Sequence, residues 1–282
     1  VDNIPQYSSP ENNFSLENDG LDIEKDLDND YLLDSWEHDN FGNLDHTDGN
    51  GDADGDGLTD MQEYVLRTDP WVTDTDGDGY LDSEEIDHST DATNSNSKPL
   101  INVSQYHNNV QQLFIGFYGR PADPTGLDYW SKKLGLAGGN FDQILNSFAN
   151  SEEAQEFVFT DPETGKPCSD SDLIHNVYQN LFNRQADTAG LNYYTSLLER
   201  GEASLESIVK WIIDGSTNDD EIIIQNKVDV ASYFTNEVDQ NNSSYNSEEI
   251  LDARSLIKNV ELSESSVKEG KSATHELVQT MQ

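Results

Sequence analysis

Asp52, Asp54, Asp56, Asp60 and Glu63 stand at positions 1, 3, 5, 9 and 12 of one twelve-residue stretch. Asp74, Asp76, Asp78, Asp82 and Glu85 repeat the arrangement 22 residues later, since 74 − 52 and 85 − 63 are both 22. Gly57 and Gly79 hold position 6, where such a loop must turn sharply. Carboxylates on alternate residues of a tight loop converge. With a backbone carbonyl at position 7 (Leu58 or Tyr80) and a bidentate glutamate at position 12, they supply the six to eight oxygens that Ca2+ takes at about 2.3–2.6 Å. Position 9 often acts through a water, which makes Asp60 and Asp82 candidates for an outer role.

A third stretch lies upstream: Asp26, Asp28, Asp30, Asp34 and Glu37. It has the carboxylates but carries Tyr31 at position 6, so its turn is costlier. Asp48, Asn50 and Asp52 form an alternative frame overlapping the second loop, a register ambiguity and not a fourth site. Acidic runs are commonly solvated faces or tails, but such runs do not place Asp, Gly and Glu at ligand positions twice at one period. The spacing therefore predicts Ca2+ in the EF-hand-type loops 52–63 and 74–85, and a third ion in 26–37.

Asp-Gly-Asp-Gly-Leu-Thr-Asp (54–60), Gln-Glu-Tyr (62–64) and Thr-Asp-Pro (68–70) together resemble bacterial thrombospondin type 3 repeats. So do Asp-Gly-Asp-Gly-Tyr-Leu-Asp (76–82) with Thr-Asp (90–91), and Leu33 to Glu37 followed by Asn40 to Leu44. The resemblance covers about residues 23–97 and implies an extracellular, calcium-ordered rod or spacer. It also makes Asp69 and Asp91 auxiliary ligand candidates, although Ala92 replaces the proline in the last copy.

The second half has its own repeat. Gly-Arg-Pro-Ala-Asp-Pro-Thr-Gly-Leu-Asp-Tyr-Trp (119–130) aligns with Asn-Arg-Gln-Ala-Asp-Thr-Ala-Gly-Leu-Asn-Tyr-Tyr (183–194) at an offset of 64. Tyr106, Val110, Leu113, Phe114 and Phe117 precede the first copy at helical spacing; Ile174, Val177, Tyr178, Leu181 and Phe182 precede the second. Asp123 and Asp187 are expected to cap the next helix, with Pro124 at N1 of the first, and that helix is expected to bury Leu127, Trp130 and Leu134, or Leu191, Tyr194 and Leu198. Phe117 to Trp130, Leu181 to Tyr194 and Asn226 to Thr235 resemble the DUF4214 family of helical domains found in bacterial surface-layer and exported proteins. That resemblance spans roughly 101–260 and implies no chemistry; its acids and aromatics read as caps and core.

Composition sets the wider frame. Acidic residues number 56 against 15 basic ones, a formal net charge of -41. Such a chain repels nucleic acid and anionic membrane surface and attracts cations. Residues 1–97 hold 28 of the 56 acids, only two basic residues (Lys25 and Arg67), and few apolar ones. No apolar run approaches the roughly 18 residues of a membrane span; the longest near-candidate is Leu113 to Tyr118. Cys168 is alone, so no internal disulfide forms. The chain begins at Val1, which suggests a processed or trimmed product. Asn13, Asn102, Asn241 and Asn242 lie in sequons of the kind that arise by chance in so Asn- and Ser-rich a chain. The histidines, at 38, 46, 88, 107, 175 and 275, form no metal-site pair, and no nucleophile, phosphate-binding or Cys-x-x-Cys motif is present. No enzymatic activity is expected.

The elements needed to position these residues follow. The expected fold class is mainly α: an arm at 1–22, a calcium-loop module with little regular structure at 23–97, and an all-α domain at 101–260. That domain is built of two related repeats, about 106–160 and 174–238, and a C-terminal tail at 261–282 has no obvious core to join. The favoured function is a calcium-binding extracellular structural protein, secreted or at the bacterial cell surface, self-assembling into a surface layer, sheath, filament or matrix. Its partner would be itself or a cell-surface glycan, with no nucleic acid and no transmembrane segment. The alternatives are a calcium-stabilised adhesin and an accessory portion of a larger secreted enzyme.

Overall fold

The computed structural model describes residues 25–45, 49–161, 163–243, 245 and 247–281. The arm at 1–22 lies outside them, as does Asp48 of the alternative loop frame. The chain forms two compact units that divide between Pro99 and Leu100. It is mainly helical, with no β-strand among the described residues, only an isolated bridge between Thr160 and Pro167.

In the first unit three short helices recur in one register. Helices α1 (Asp34–Phe41), α2 (Asp60–Leu66) and α3 (Asp82–Asp87) each begin at position 9 of an acidic loop and carry the position-12 glutamate in their first turn. Gly42, Arg67 and Ser89 follow them with φ of 79°, 67° and 60°, left-handed stops that end a helix cheaply only at glycine. The interior of this unit is unusual. Its buried apolar side chains among the described residues are Leu32, Leu58, Ala92 and two prolines, Pro70 and Pro99, whereas Glu37, Asp60, Glu63, Asp82 and Glu85 are all buried with 2% exposure or less. Carboxylates are thus as numerous as apolar side chains in the interior, which apolar burial alone holds together poorly. A partly exposed aromatic group accompanies them: Trp36 meets Tyr64 edge-on at 5.2 Å, Phe41 meets Trp71 at 5.5 Å, and the Trp71 indole donates to the Asn40 carbonyl at 2.9 Å.

The second unit is helical throughout. Helices α4 (His107–Tyr118), α5 (Pro124–Leu136) and α6 (Asp142–Ala149) are followed by α7 (Glu152–Phe157). Then come α8 (Asp170–Phe182), α9 (Thr188–Glu199) and α10 (Leu205–Asp214). Adding 64 to the bounds of α4, α5 and α6 reproduces those of α8, α9 and α10 to within a residue or so. The 22-residue α11 (Asp219–Gln240), α12 (Ser247–Lys258) and α13 (Glu264–Thr280) complete the unit.

The repeat motif is legible in contacts. Asp123 Oδ1 accepts from Gly126 N at 2.7 Å and Asp187 Oδ1 from Gly190 N at 2.9 Å, so both aspartates cap their helices. Arg120 lies over the Phe114 and Tyr118 rings; Arg184 lies over Tyr178 and Phe182, the same positions 64 residues on. The glycines permit close approach: a Cβ on Gly126 would come 3.2 Å from Phe114, and one on Gly190 would come 2.6 Å from the Tyr178 hydroxyl. Leu127, Leu134 and Tyr194 are buried as the pattern requires, while Trp130, Leu191 and Leu198 pack half-buried against the same core. The expected preceding faces are buried too, from Val110 to Phe117 and from Ile174 to Phe182, with Tyr106 partly so.

One expectation is corrected. The segment after Leu262 is no coreless tail. Most of it is α13, which packs on α11: Val278 and Met281 join Phe234 and Val238 in a second apolar cluster, and a Cβ on Gly270 would sit 3.0 Å from Val230. Its inner face includes the buried Ser266 and Thr274 and the half-buried Gly270, small and polar residues that give no apolar stripe in the sequence.

Candidate metal centre

Each acidic loop is closed by the same hydrogen bonds. The position-1 aspartate accepts from the backbone of positions 4 and 6: Asp52 from Gly55 and Gly57 at 2.7 and 3.1 Å, and Asp74 from Gly77 and Gly79 at 2.9 and 2.8 Å. Asp26 accepts likewise from Asn29 and Tyr31 at 2.7 and 3.1 Å. The position-5 aspartate accepts from position 7: Asp30 from Leu32, Asp56 from Leu58 and Asp78 from Tyr80. Turning the backbone this tightly needs left-handed residues at position 6. Gly57 and Gly79 adopt φ of 109° and 95° without strain, whereas Tyr31 is held at 79°. That conformation costs an L-residue roughly 1–2 kcal/mol.

The result is convergence of carboxylates. Oxygen atoms of Asp26, Asp28 and Asp30 lie within 4.8 Å of one another, as do those of Asp52, Asp54 and Asp56, and of Asp74, Asp76 and Asp78. Three anions this close repel by about 3–4 kcal/mol per pair at an effective dielectric of 20.

The glutamates complete the geometry. Glu37, Glu63 and Glu85 are fully buried. Both carboxylate oxygens of Glu37 and of Glu63, and Oε2 of Glu85, have no hydrogen-bond partner; the same is true of Oδ2 of Asp30, Asp54 and Asp76, while Oδ2 of Asp78 has only the ion-pair contact with Lys98. Buried carboxylate oxygens are ordinarily paired, and leaving one bare costs several kcal/mol. Burial first, then the neighbouring aspartates, pushes Glu63 up to about 8 and Glu37 up to about 7. Burial likewise takes Glu85 to about 7, against the opposing hydrogen bond from Thr90. Asp28, Asp54 and Asp76 are raised as well, burial being the largest cause. These oxygens fit a hard divalent cation: all donors are oxygen, three aspartates converge in each loop, and aspartates of the same loop act on the buried glutamate.

The position-9 aspartates do a different task. Asp34, Asp60 and Asp82 accept from the position-2 backbone N–H of Leu27, Ala53 and Thr75 at 2.8, 3.2 and 2.9 Å. Their own N–H groups donate to the carbonyl preceding position 1, on Lys25, Gly51 and Thr73. They therefore lock the ends of the loop together. Asp69 and Asp91, the auxiliary candidates, instead accept from Trp71 N and Thr93 N in local turns, and neither joins a carboxylate cluster. The threonines beside them matter more: Thr90 donates to Glu85 Oε1 at 3.1 Å, fixing the carboxylate, and Thr68 is buried at the matching position.

Two links were not legible as site residues. Ser83 N donates to Asp56 Oδ2 at 3.0 Å and Ser83 Oγ to the Asp56 carbonyl at 2.6 Å, tying the second loop to the helix of the third. Lys98 Nζ occupies the corresponding place on Asp78, 3.0 Å from its carbonyl and 3.4 Å from Oδ2, and so finishes the array with a cation.

Residues 161–218 match the DUF4214 family, described as a domain of unknown function. The match covers α8 to α10, the second copy of the helical repeat, and not the whole of 101–260. The first copy is related to it by the 64-residue offset and by the shared contacts of Arg120 and Arg184. No family match supports the likeness of the acidic loops to thrombospondin type 3 repeats. No curated protein and no solved structure matches the chain.

Proposed function

We propose that loops 26–37, 52–63 and 74–85 bind Ca2+ and that the chain is an extracellular structural protein whose first unit is ordered by that ion. The observation that carries this reading is the set of buried glutamates with unpartnered oxygens, each set beside three converging aspartates. In this reading Asp52, Asp54, Asp56, Glu63 and the Leu58 carbonyl hold one ion, and Asp74, Asp76, Asp78, Glu85 and the Tyr80 carbonyl another. Asp26, Asp28, Asp30 and Glu37 hold a third. The ion takes the part that an apolar core plays elsewhere. Extracellular modules bind calcium at about 10⁻⁴–10⁻³ M, an affinity that leaves such loops empty in cytosol and filled outside the cell.

The structural role extends to assembly into a surface layer, sheath, filament or matrix. Charge supports a calcium requirement for it. Three ions would take the formal net charge from -41 to -35, mostly in the unit that repels most. Like charges oppose contact within a Debye length of about 8 Å at physiological salt. Since α13 is packed on its own core, it is not free to serve as an exchanged arm. Sedimentation velocity across a calcium titration tests the assembly: the expected result is a shift to larger species as the loops fill. A monomer at every concentration from chelator to about 10 mM calcium, the top of the range set by such affinities, would leave spacing or adhesion as the better account.

A further inference from the structure

The two helical repeats fasten one turn with the same bond but with different chemistry. In the first, Gln111 of α4 accepts the Ala122 backbone N–H on Oε1 at 3.0 Å. Ala122 directly precedes Asp123, the cap of α5. At the 64-residue offset His175 of α8 stands where Gln111 does, and its Nδ1 accepts the Ala186 N–H at 3.2 Å. Ala186 directly precedes Asp187, the cap of α9. The turns are otherwise alike: Arg120 Nη1 and Arg184 Nη1 each donate to the next residue's carbonyl at 3.0 Å.

An amide oxygen accepts whatever the pH. An imidazole nitrogen accepts only while it is unprotonated. Nδ1 of His175 receives an N–H, so the neutral ring carries its proton on Nε2. A second proton goes to Nδ1 and sets two donors face to face. The bond then breaks, and the N–H of Ala186, a residue only 9% exposed, loses its acceptor. Gln111 is fully buried and also donates through Nε2 to Thr235 Oγ1 at 2.8 Å, whereas His175 is half-buried and open to protons from solvent.

The charges around the ring are committed elsewhere. On α8, Asp172 lies one turn before His175 and accepts from Ser169 Oγ at 2.6 Å; Asp170 is at the helix start. In the turn, Arg184 pairs with Asp220 of α11 at 2.6 Å and lies 3.7 Å from Asp187. Lys227 of α11 donates to the Asn180 carbonyl and to Asn183 Oδ1, and Asp219 and Glu221 lie in the first turn of that helix. On α10 Lys210 pairs with Asp214, and Glu206 is in the first turn. Helix α4 brings His107 at its start and α9 brings Glu199 at its end. Burial holds the Tyr178 and Tyr194 phenols in their neutral form. None of these groups forms an ion pair with His175 among the described residues, so no such pair makes up for the bond that protonation breaks.

We propose that the α8–α9 turn is a proton-operated latch: protonation of His175 releases Ala186 and loosens the start of α9, while the Gln111 latch of the first repeat stays closed. The signal is mild acid, because histidine is the side chain that ordinarily changes charge between about pH 5 and 8. The second repeat therefore loses local stability as pH falls and the first does not. The inference stands apart from the calcium reading, because no acidic loop takes part.

Hydrogen exchange of the full chain, in calcium throughout and corrected for the intrinsic pH dependence of exchange, tests it. Peptides covering 183–194 should lose protection by about tenfold between pH 8 and pH 5, as expected when a buried N–H loses its acceptor; those covering 119–130 should not. His175→Gln installs the residue that the first repeat uses and should keep 183–194 protected at pH 5. Three results would overturn the proposal: no loss in 183–194, an equal loss in both repeats, or a loss in His175→Gln as large as in the unaltered chain.

Discussion

Glu63→Gln changes the stability of the first unit in opposite directions with and without calcium. The substitution keeps the shape of a fully buried side chain whose oxygens have no hydrogen-bond partner, and removes its charge. In calcium it removes the bidentate ligand proposed for the second loop. At about 10 mM the ion stands at roughly 10–100 times the dissociation constant of such a module, so each filled site stabilises by about 1.4–2.7 kcal/mol. For a unit of this size the melting temperature should fall by roughly 6–20 °C. In chelator the sign reverses. The Glu63 carboxyl is raised to about 8 in the folded unit and returns to its ordinary value of 4.5 on unfolding. A raised carboxyl contributes no penalty below its unfolded value; the penalty grows as pH rises from there through about 8. At pH 7 it is on the order of 3 kcal/mol, and glutamine abolishes it. Thermal melts followed through Trp36 and Trp71, with hydrogen exchange in α2 for the chelated state, read both signs. A change in the same direction in both conditions would refute the reasoning.

Two further substitutions probe the backbone. Tyr31→Gly should relieve the left-handed turn of the first loop and stabilise it by about 1 kcal/mol, tightening calcium there about fivefold; calorimetric affinity for loop 26–37 measures it, and an unchanged or weaker site would contradict the strain. Asp123→Ala and Asp187→Ala should each cost about 0.5–2 kcal/mol as lost helix caps, seen as lowered denaturation midpoints of the second unit with calcium binding unaffected.

Much of this arrangement was legible because it repeats. Period 22 fixed the register of the second and third loops, and the structure starts α2 and α3 at the same loop position in each. The 64-residue offset likewise foretold which helices correspond. What remained hidden has physical causes. The spacing gave the position-9 aspartates an outer role, but not its form: Asp34, Asp60 and Asp82 each accept from the position-2 N–H of their loop. Ser83 and Lys98 act across repeats, at sequence distances of 27 and 20 from the aspartates they reach. Helix α13 was concealed by an inner face of serine, glycine and threonine. Lys227 is charged in sequence and buried in the fold, satisfied by a helix end 47 residues away.

The central claim, that three acidic loops hold calcium, is tested most directly by counting the ions. Isothermal titration of the chelator-stripped chain with Ca2+ should give at least two sites, in loops 52–63 and 74–85, and a third in 26–37 that disappears in Glu37→Gln. Mg2+ should compete poorly, because its octahedral shell at about 2.0–2.1 Å is too small and too rigid for these ligands. A stoichiometry of zero or one, or equal binding of both ions, would contradict the account.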